Sequence, residues 1–103
     1  MSGPTPLPLA FVAKMVAKPG HEDALAEFLT GALPLAQAEE GTALWFALRT
    51  DASTFWIFDA FADENARTAH ATGAIVDALD QNAERLLAVA PEILPADVLA
   101  AKV

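Results

Sequence analysis

Apolar stretches alternate with turn signals along the chain, and this pattern predicts four strands. Residues 10–18 alternate between two apolar faces and end at a Pro-Gly pair, which predicts a first strand followed by a turn. Residues 42–50 and 54–61 are rich in aromatic and aliphatic side chains, and the short segment between them is typical of an antiparallel hairpin. The prolines at 91 and 95 are expected to bracket a loop, and residues 97–103 are expected to form the last strand.

Two helical regions are predicted between these strands. Residues 21–38 carry apolar side chains at helical spacing, and Pro34 is expected to kink or split this helix because it removes a backbone donor. The second region opens at Asp63, which can cap free backbone N–H groups. Gly73 is expected to break or bend this region before its second part, residues 74–88.

The order of these elements is β-α-β-β-α-β, which is the ferredoxin-like arrangement of an α+β protein. It predicts a four-stranded antiparallel sheet with both helical regions on one face. Residues 1–9 contain three prolines and are expected to form a flexible N-terminal arm, with an arm that embraces a partner as the alternative. Residues 10–103 are expected to form one domain.

One face of the predicted sheet is apolar but has no helix to cover it. Its large side chains are Leu44, Phe46, Leu48, Trp56 and Phe58. Together they would expose a larger apolar patch than monomeric proteins normally carry. Two copies packed sheet to sheet would bury the patch and can enclose a pocket, so the sequence predicts a homodimer.

Composition excludes several classes of function. The chain has 14 Asp and Glu against 6 Lys and Arg, which opposes nucleic-acid binding. We expect a cytoplasmic protein without a membrane partner, because no apolar stretch approaches the roughly 18 residues of a membrane helix and no secretory signal opens the chain. Without Cys, and with two widely separated His, the chain has no spacing typical of a zinc site.

Several segments, taken in order, resemble the antibiotic biosynthesis monooxygenase (ABM) family of dimeric α/β-barrel proteins. They are Lys18-Pro19-Gly20-His21-Glu22, Glu40-Gly41-Thr42, and Phe58-Asp59-Ala60-Phe61-Ala62-Asp63-Glu64 with Ala69-His70 behind it. The resemblance covers about residues 10–103 and implies a dimeric α/β barrel. Some family members are cofactor-independent monooxygenases that oxidise electron-rich phenols or quinols with molecular oxygen. Others degrade haem, isomerise small sugar-derived signals or have no known activity, so the fold does not settle the function.

His70 and Asp59 are the candidate catalytic residues. An imidazole titrates near neutral pH, so His70 can accept a phenolic proton, and Asp59 at the end of the third strand can orient it. The alternative is that His70 only makes local hydrogen bonds. The family often has a second histidine where this chain has Ile75, which argues against a mechanism with paired histidines. His21 follows the Pro-Gly turn and is expected to be a solvated surface residue.

The candidate substrate-binding residues lie on the uncovered sheet face. They are Lys14, Leu44, Phe46, Leu48, Trp56 and Phe58. The apolar members can line a cavity for a flat aromatic ligand, and Lys14 can stabilise a phenolate or superoxide charge. The alternative is that these side chains fill a core or a dimer interface, with Lys14 reaching out to its rim.

The leading interpretation is an ABM-type monooxygenase that oxidises a small phenol or quinol in an apolar pocket, without a metal or a cofactor. The alternative is a non-catalytic dimer of the same fold that binds a small molecule or has a structural role. Haem degradation ranks third, because the haem-degrading members also use an Asn on the first strand and residues 10–18 contain none.

Overall fold

The computed structural model describes residues 5–103 and contains the predicted elements in the predicted order. The strands are β1 (Leu9–Val16), β2 (Thr42–Arg49), β3 (Thr54–Phe61) and β4 (Glu92–Asp97), and the helices are α1 (Glu22–Gly31), α2 (Leu33–Ala38), α3 (Glu64–Ala71) and α4 (Ala74–Leu86). All neighbouring strands pair antiparallel, in the order β2-β3-β1-β4. This is the predicted ferredoxin-like fold. Of the predicted N-terminal arm, residues 1–4 lie outside the described residues, and Leu9 already belongs to β1.

Both helical regions are divided at the positions that the sequence indicated. Pro34 lies in the first turn of α2, so the first region stops at Gly31 and begins again at Leu33. Gly73 stands between α3 and α4 as the residue that precedes α4. The carboxylate of Asp63 accepts a hydrogen bond of 2.8 Å from the backbone N–H of Ala66 and so caps α3.

The last strand lies earlier in the chain than the sequence predicted. Residues 98–103 have no regular structure, and the segment expected as a loop is instead part of β4, which pairs with β1. Pro95 is tolerated there because β4 is an edge strand. Val98 donates its N–H to the carbonyl of Pro8, so its backbone nitrogen points towards β1. Backbone nitrogens alternate in direction along a strand, and that of Pro95, three residues earlier, therefore points away from β1. The prediction was wrong because it took both prolines as loop residues.

The helices cover one face of the sheet and leave the other open. Met15, Phe55 and Leu25 are at most 2% exposed in the core between the helices and the sheet. Burial of such a side chain contributes roughly 1.5–3 kcal/mol to stability. On the opposite face, Phe46 and Leu48 are 49% and 50% exposed. Within residues 5–103, no helix combines the length and the apolar composition that a membrane crossing requires.

Candidate functional site

His70 lies between two carboxylates inside the covered side of the sheet. Its Nε2 atom is 2.9 Å from Oδ2 of Asp59, and its Nδ1 atom is 2.6 Å from Oε1 of Glu39. The structure thus brings together Asp59 and His70, the two residues that were predicted to be catalytic. Glu39 joins them, and the three form a trio. A carboxylate accepts hydrogen bonds and does not donate them, so this arrangement requires a proton on each ring nitrogen. The geometry therefore favours the imidazolium form of His70.

Each member of this trio is held by a different part of the fold. Asp59 projects from β3 towards the helices and is 1% exposed, and His70 lies in the last turn of α3 and is 6% exposed. Glu39 follows α2, and its Oε1 atom also accepts a hydrogen bond of 2.7 Å from the hydroxyl of Thr42. Gly41 allows α3 to approach closely, because a Cβ atom there would lie 2.7 Å from the Cβ of Ala66.

The two carboxylates decide the charge of His70. Burial disfavours the imidazolium and by itself would lower the pKa of His70. The hydrogen bonds to Asp59 and Glu39 and the negative charges of both groups outweigh this effect. The pKa of His70 is therefore raised above its ordinary value of 6.5.

Glu39 lies just outside the helical region predicted over residues 21–38, and nothing in the sequence pattern marked it as a site residue. It lies 31 residues from His70, so no local spacing connects the two. A signal was nevertheless present in the predicted topology. β2 and β3 form a hairpin, and Thr42 pairs with Phe61 in the observed register. A residue just before β2 therefore lies near α3, although this register alone does not place Glu39 beside His70 in the last turn of that helix.

Asp59 and His70 border an apolar cavity of about 120 Å³ between the sheet and the helices. Its larger apolar walls come from β1, β3, α4 and β4 and are Phe11, Ile57, Ile75, Val76, Leu79 and Ile93. The Oδ1 atom of Asp59 is buried and has no hydrogen-bond partner among residues 5–103. An unpaired buried acceptor costs free energy that a donor group on a ligand can recover. Asp59 thus places a buried acceptor without a partner beside an otherwise apolar cavity.

The six predicted substrate-binding residues lie on the open face, so the sheet separates them from this cavity. The rings of Phe46 and Phe58 stack with centroids 6.2 Å apart, and the Nζ atom of Lys14 lies 5.7 Å from the ring centroid of Trp56. Leu44 and Leu48 are on the same face of β2 as Phe46. Their predicted role in substrate binding therefore stays a prediction, and it concerns the open face of the sheet and not the cavity.

The trio is poorly suited to hold a metal ion or a haem iron. Both ring nitrogens of His70 are engaged by carboxylates, and a histidine ligand needs a nitrogen with a free lone pair. Among residues 5–103, no three His, Asp or Glu side chains are arranged as a metal site. His21 precedes α1, is partly buried and makes no capping hydrogen bond through its side chain.

A protein of unknown function from Nitrosomonas europaea is similar to this chain along almost its whole length. The two are 53% identical, the match covers 95% of each chain, and the TM-score is 0.93. The chain belongs to the same family as this Nitrosomonas protein. No family model matches the sequence, and no curated protein matches it.

More distant structures connect this family with the ABM fold. A proposed antibiotic biosynthesis monooxygenase from Nitrosomonas europaea is 15% identical, with a TM-score of 0.79 over 89% of this chain and 99% of that one. Another from Deinococcus radiodurans is 15% identical, with a TM-score of 0.76 over 91% of this chain and 95% of that one. The predicted resemblance is confirmed at the level of the fold: the chain has the ABM fold.

Proposed function

We propose that the protein is a cofactor-independent monooxygenase that oxidises a small phenol or quinol with molecular oxygen. The observation that carries this proposal is the pairing of Asp59 and His70 at an apolar cavity in which one oxygen of Asp59 has no partner. An electron-rich phenolate can transfer an electron to oxygen without a metal or a flavin. The protein then needs only a base and an apolar enclosure.

In this proposal, Asp59 and His70 exchange the two roles expected from the sequence, because both ring nitrogens of His70 are engaged by carboxylates. Asp59 takes the phenolic proton on its free Oδ1 atom, and His70 holds the carboxylate in place through Oδ2. The phenolate passes one electron to oxygen, and the resulting phenoxyl and superoxide radicals combine at a ring carbon to form a peroxide. Protonated Asp59 returns its proton to the distal peroxide oxygen. Loss of water then gives the quinone, so that a phenol and one O2 yield a quinone and one H2O.

The proposal is tested by oxygen uptake with a panel of phenols and quinols. Replacement Asp59→Asn should lower turnover about a hundredfold or more, in line with the contribution of general acid–base catalysis. His70→Gln should also lower turnover, whereas His21→Gln, at the other histidine, should not. A chelator should leave the rate unchanged. Wild-type turnover in Asp59→Asn contradicts the assigned base, and ligand binding without any oxygen uptake favours the non-catalytic alternative.

We also propose that two copies pack through their open sheet faces. Support comes from the exposed side chains of Phe46 and Leu48 on β2 and of Leu94 on β4, which is 56% exposed. At about 25 cal/mol per Å² of buried apolar area, a sheet-to-sheet interface would be strongly stabilising. Sedimentation at micromolar concentration should give a dimer that Phe46→Lys dissociates. Leu35→Lys, at an exposed leucine of α2, should leave it intact. A wild-type monomer contradicts the proposal.

A further inference from the structure

We infer that the cavity beside Asp59 selects a single aromatic ring with one hydroxyl group, and that Ile93 sets this size limit. The inference rests on the proposed function, because it names the substrate class of the same site. It follows from the volume of the cavity, from the one unpaired acceptor in its wall, and from the position of Ile93 at its edge.

The volume of the cavity leaves room for at most one ring. It measures about 120 Å³, whereas an apolar protein cavity of about 150 Å³ is known to hold benzene. Much of the wall is fixed in the core, since Ile75 and Leu79 are each 3% exposed on α4 and Ile57 is 5% exposed on β3. Close-packed side chains of this kind do not yield without cost, so a fused second ring would be excluded.

The polarity of the cavity fits one hydroxyl group. Asp59 is 1% exposed, its Oδ2 atom is bound by His70, and its Oδ1 atom is unpaired. A phenolic O–H can donate to Oδ1, whereas a methyl group in the same position would leave that oxygen unsatisfied. A carboxylate on the ring would place a second negative charge beside Asp59, so a benzoate should be rejected.

Among the apolar residues that line the cavity, Ile93 is best placed to limit the length of a ligand. It lies on the edge strand β4, opposite Ala13, and it is 38% exposed. Ala71, at the end of α3, also lines the cavity and is exposed, so the cavity reaches the surface beside these residues. Shortening Ile93 therefore lengthens the cavity without emptying the core.

The test is calorimetric binding of phenol, toluene, benzoate and 2-naphthol to the full chain under anaerobic conditions. Wild-type protein should bind phenol about tenfold or more tightly than toluene, which is the scale of one hydrogen bond to a charged group. It should also bind phenol about tenfold or more tightly than benzoate, because of the second negative charge, and than 2-naphthol, because of the second ring. Ile93→Ala should bring 2-naphthol to within about threefold of phenol. Val89→Ala, at a 62% exposed residue between α4 and β4 that does not line the cavity, should behave as wild type.

Each outcome bears on a separate part of the inference. Equal affinity for phenol and toluene overturns the contact between the hydroxyl and Asp59, and equal wild-type affinity for phenol and 2-naphthol overturns the size limit. Continued rejection of 2-naphthol by a folded Ile93→Ala protein overturns the role of Ile93. Selective binding of phenol without aerobic oxygen uptake supports the inference and contradicts the monooxygenase. Aerobic oxidation of both phenol and 2-naphthol supports the monooxygenase and contradicts the limit.

Discussion

Gly73 lies directly against Glu39, and the lack of a side chain at this glycine allows the carboxylate to reach His70. A Cβ atom on Gly73 would come within 2.8 Å of Oε2 of Glu39. It would also lie 3.1 Å from the carbonyl oxygen of Ala69 and 3.3 Å from that of His70. These backbone atoms belong to the end of α3 and cannot easily move aside. The break between the two helices therefore also makes room for the third member of the trio.

Gly73→Ala should destabilise the protein by about 1–3 kcal/mol, which is the usual cost of an added group in a packed site. Urea denaturation measures this change in the free energy of unfolding. Gly31→Ala is the matched control, because a Cβ on Gly31 meets no other atom within 4 Å and the residue ends α1. That change should be neutral or stabilising by up to about 1 kcal/mol. Equal effects at the two glycines would contradict the close approach of Glu39.

Glu39→Gln should lower the pKa of His70. The amide keeps an oxygen that can accept from Nδ1 but loses the negative charge that stabilises the imidazolium. An NMR titration of the imidazole measures the pKa directly. Glu40→Gln changes the neighbouring exposed carboxylate and should leave the titration of His70 as it is. An unchanged His70 pKa in Glu39→Gln would show that Asp59 alone holds the proton.

The stability of the protein should fall as the pH rises above neutrality. The pKa of His70 is raised in the folded state above the value of 6.5 that the unfolded chain has. The protonated imidazole therefore contributes stability that is fully present below about pH 6.5 and is lost as the pH rises through the folded-state pKa. Urea denaturation between pH 5 and pH 9 should show this slope. His70→Gln should flatten it and His21→Gln should preserve it; a slope that survives in His70→Gln has another origin.

Local signals in the sequence account for most of the fold. The alternation of side chains predicts which strand residues share a face. Pro34, Asp63 and Gly73 mark helix boundaries, which depend on the backbone of the residues next to them in the chain. The position of β4 was not accessible in this way. Whether Pro95 can lie in a strand depends on the pairing of β4 with β1 and on the lack of a second neighbouring strand, which residues 5–103 do not supply.

The candidate site was only partly predictable for the same reason. The pairing of Asp59 with His70 follows from a strand that ends just before the helix carrying the histidine. Glu39 reaches the site only through the tertiary packing of α2, β2 and α3. Alternation along β3 does, however, place Asp59 and Phe58 on opposite faces. A single pocket lined by both was therefore already in conflict with the strand pattern.

Arg67 links β1 and β4, two strands of the cavity wall, and its loss should loosen β4. Its Nη1 atom lies 3.4 Å from the carbonyl oxygens of Ala10 and Ala96, which pair across β1 and β4. Its guanidinium also lies 5.6 Å from the ring centroid of Phe11, a wall residue of the cavity. The side chain is 15% exposed, so its hydrogen bonds are largely shielded from water.

Arg67→Met keeps most of the apolar stem but removes these hydrogen bonds, and it should lower the free energy of unfolding by about 1–3 kcal/mol. The β4 amides that pair with β1 should exchange hydrogen faster than in wild type, because β4 loses a clamp on β1, the one strand it pairs with in the described part of the chain. Arg85→Met is the matched control, since Arg85 is exposed and bonds Asn82 on its own helix. Unchanged hydrogen exchange of the β4 amides in Arg67→Met would mean that backbone pairing with β1 alone holds β4 in place. The volume of the cavity would then not depend on Arg67.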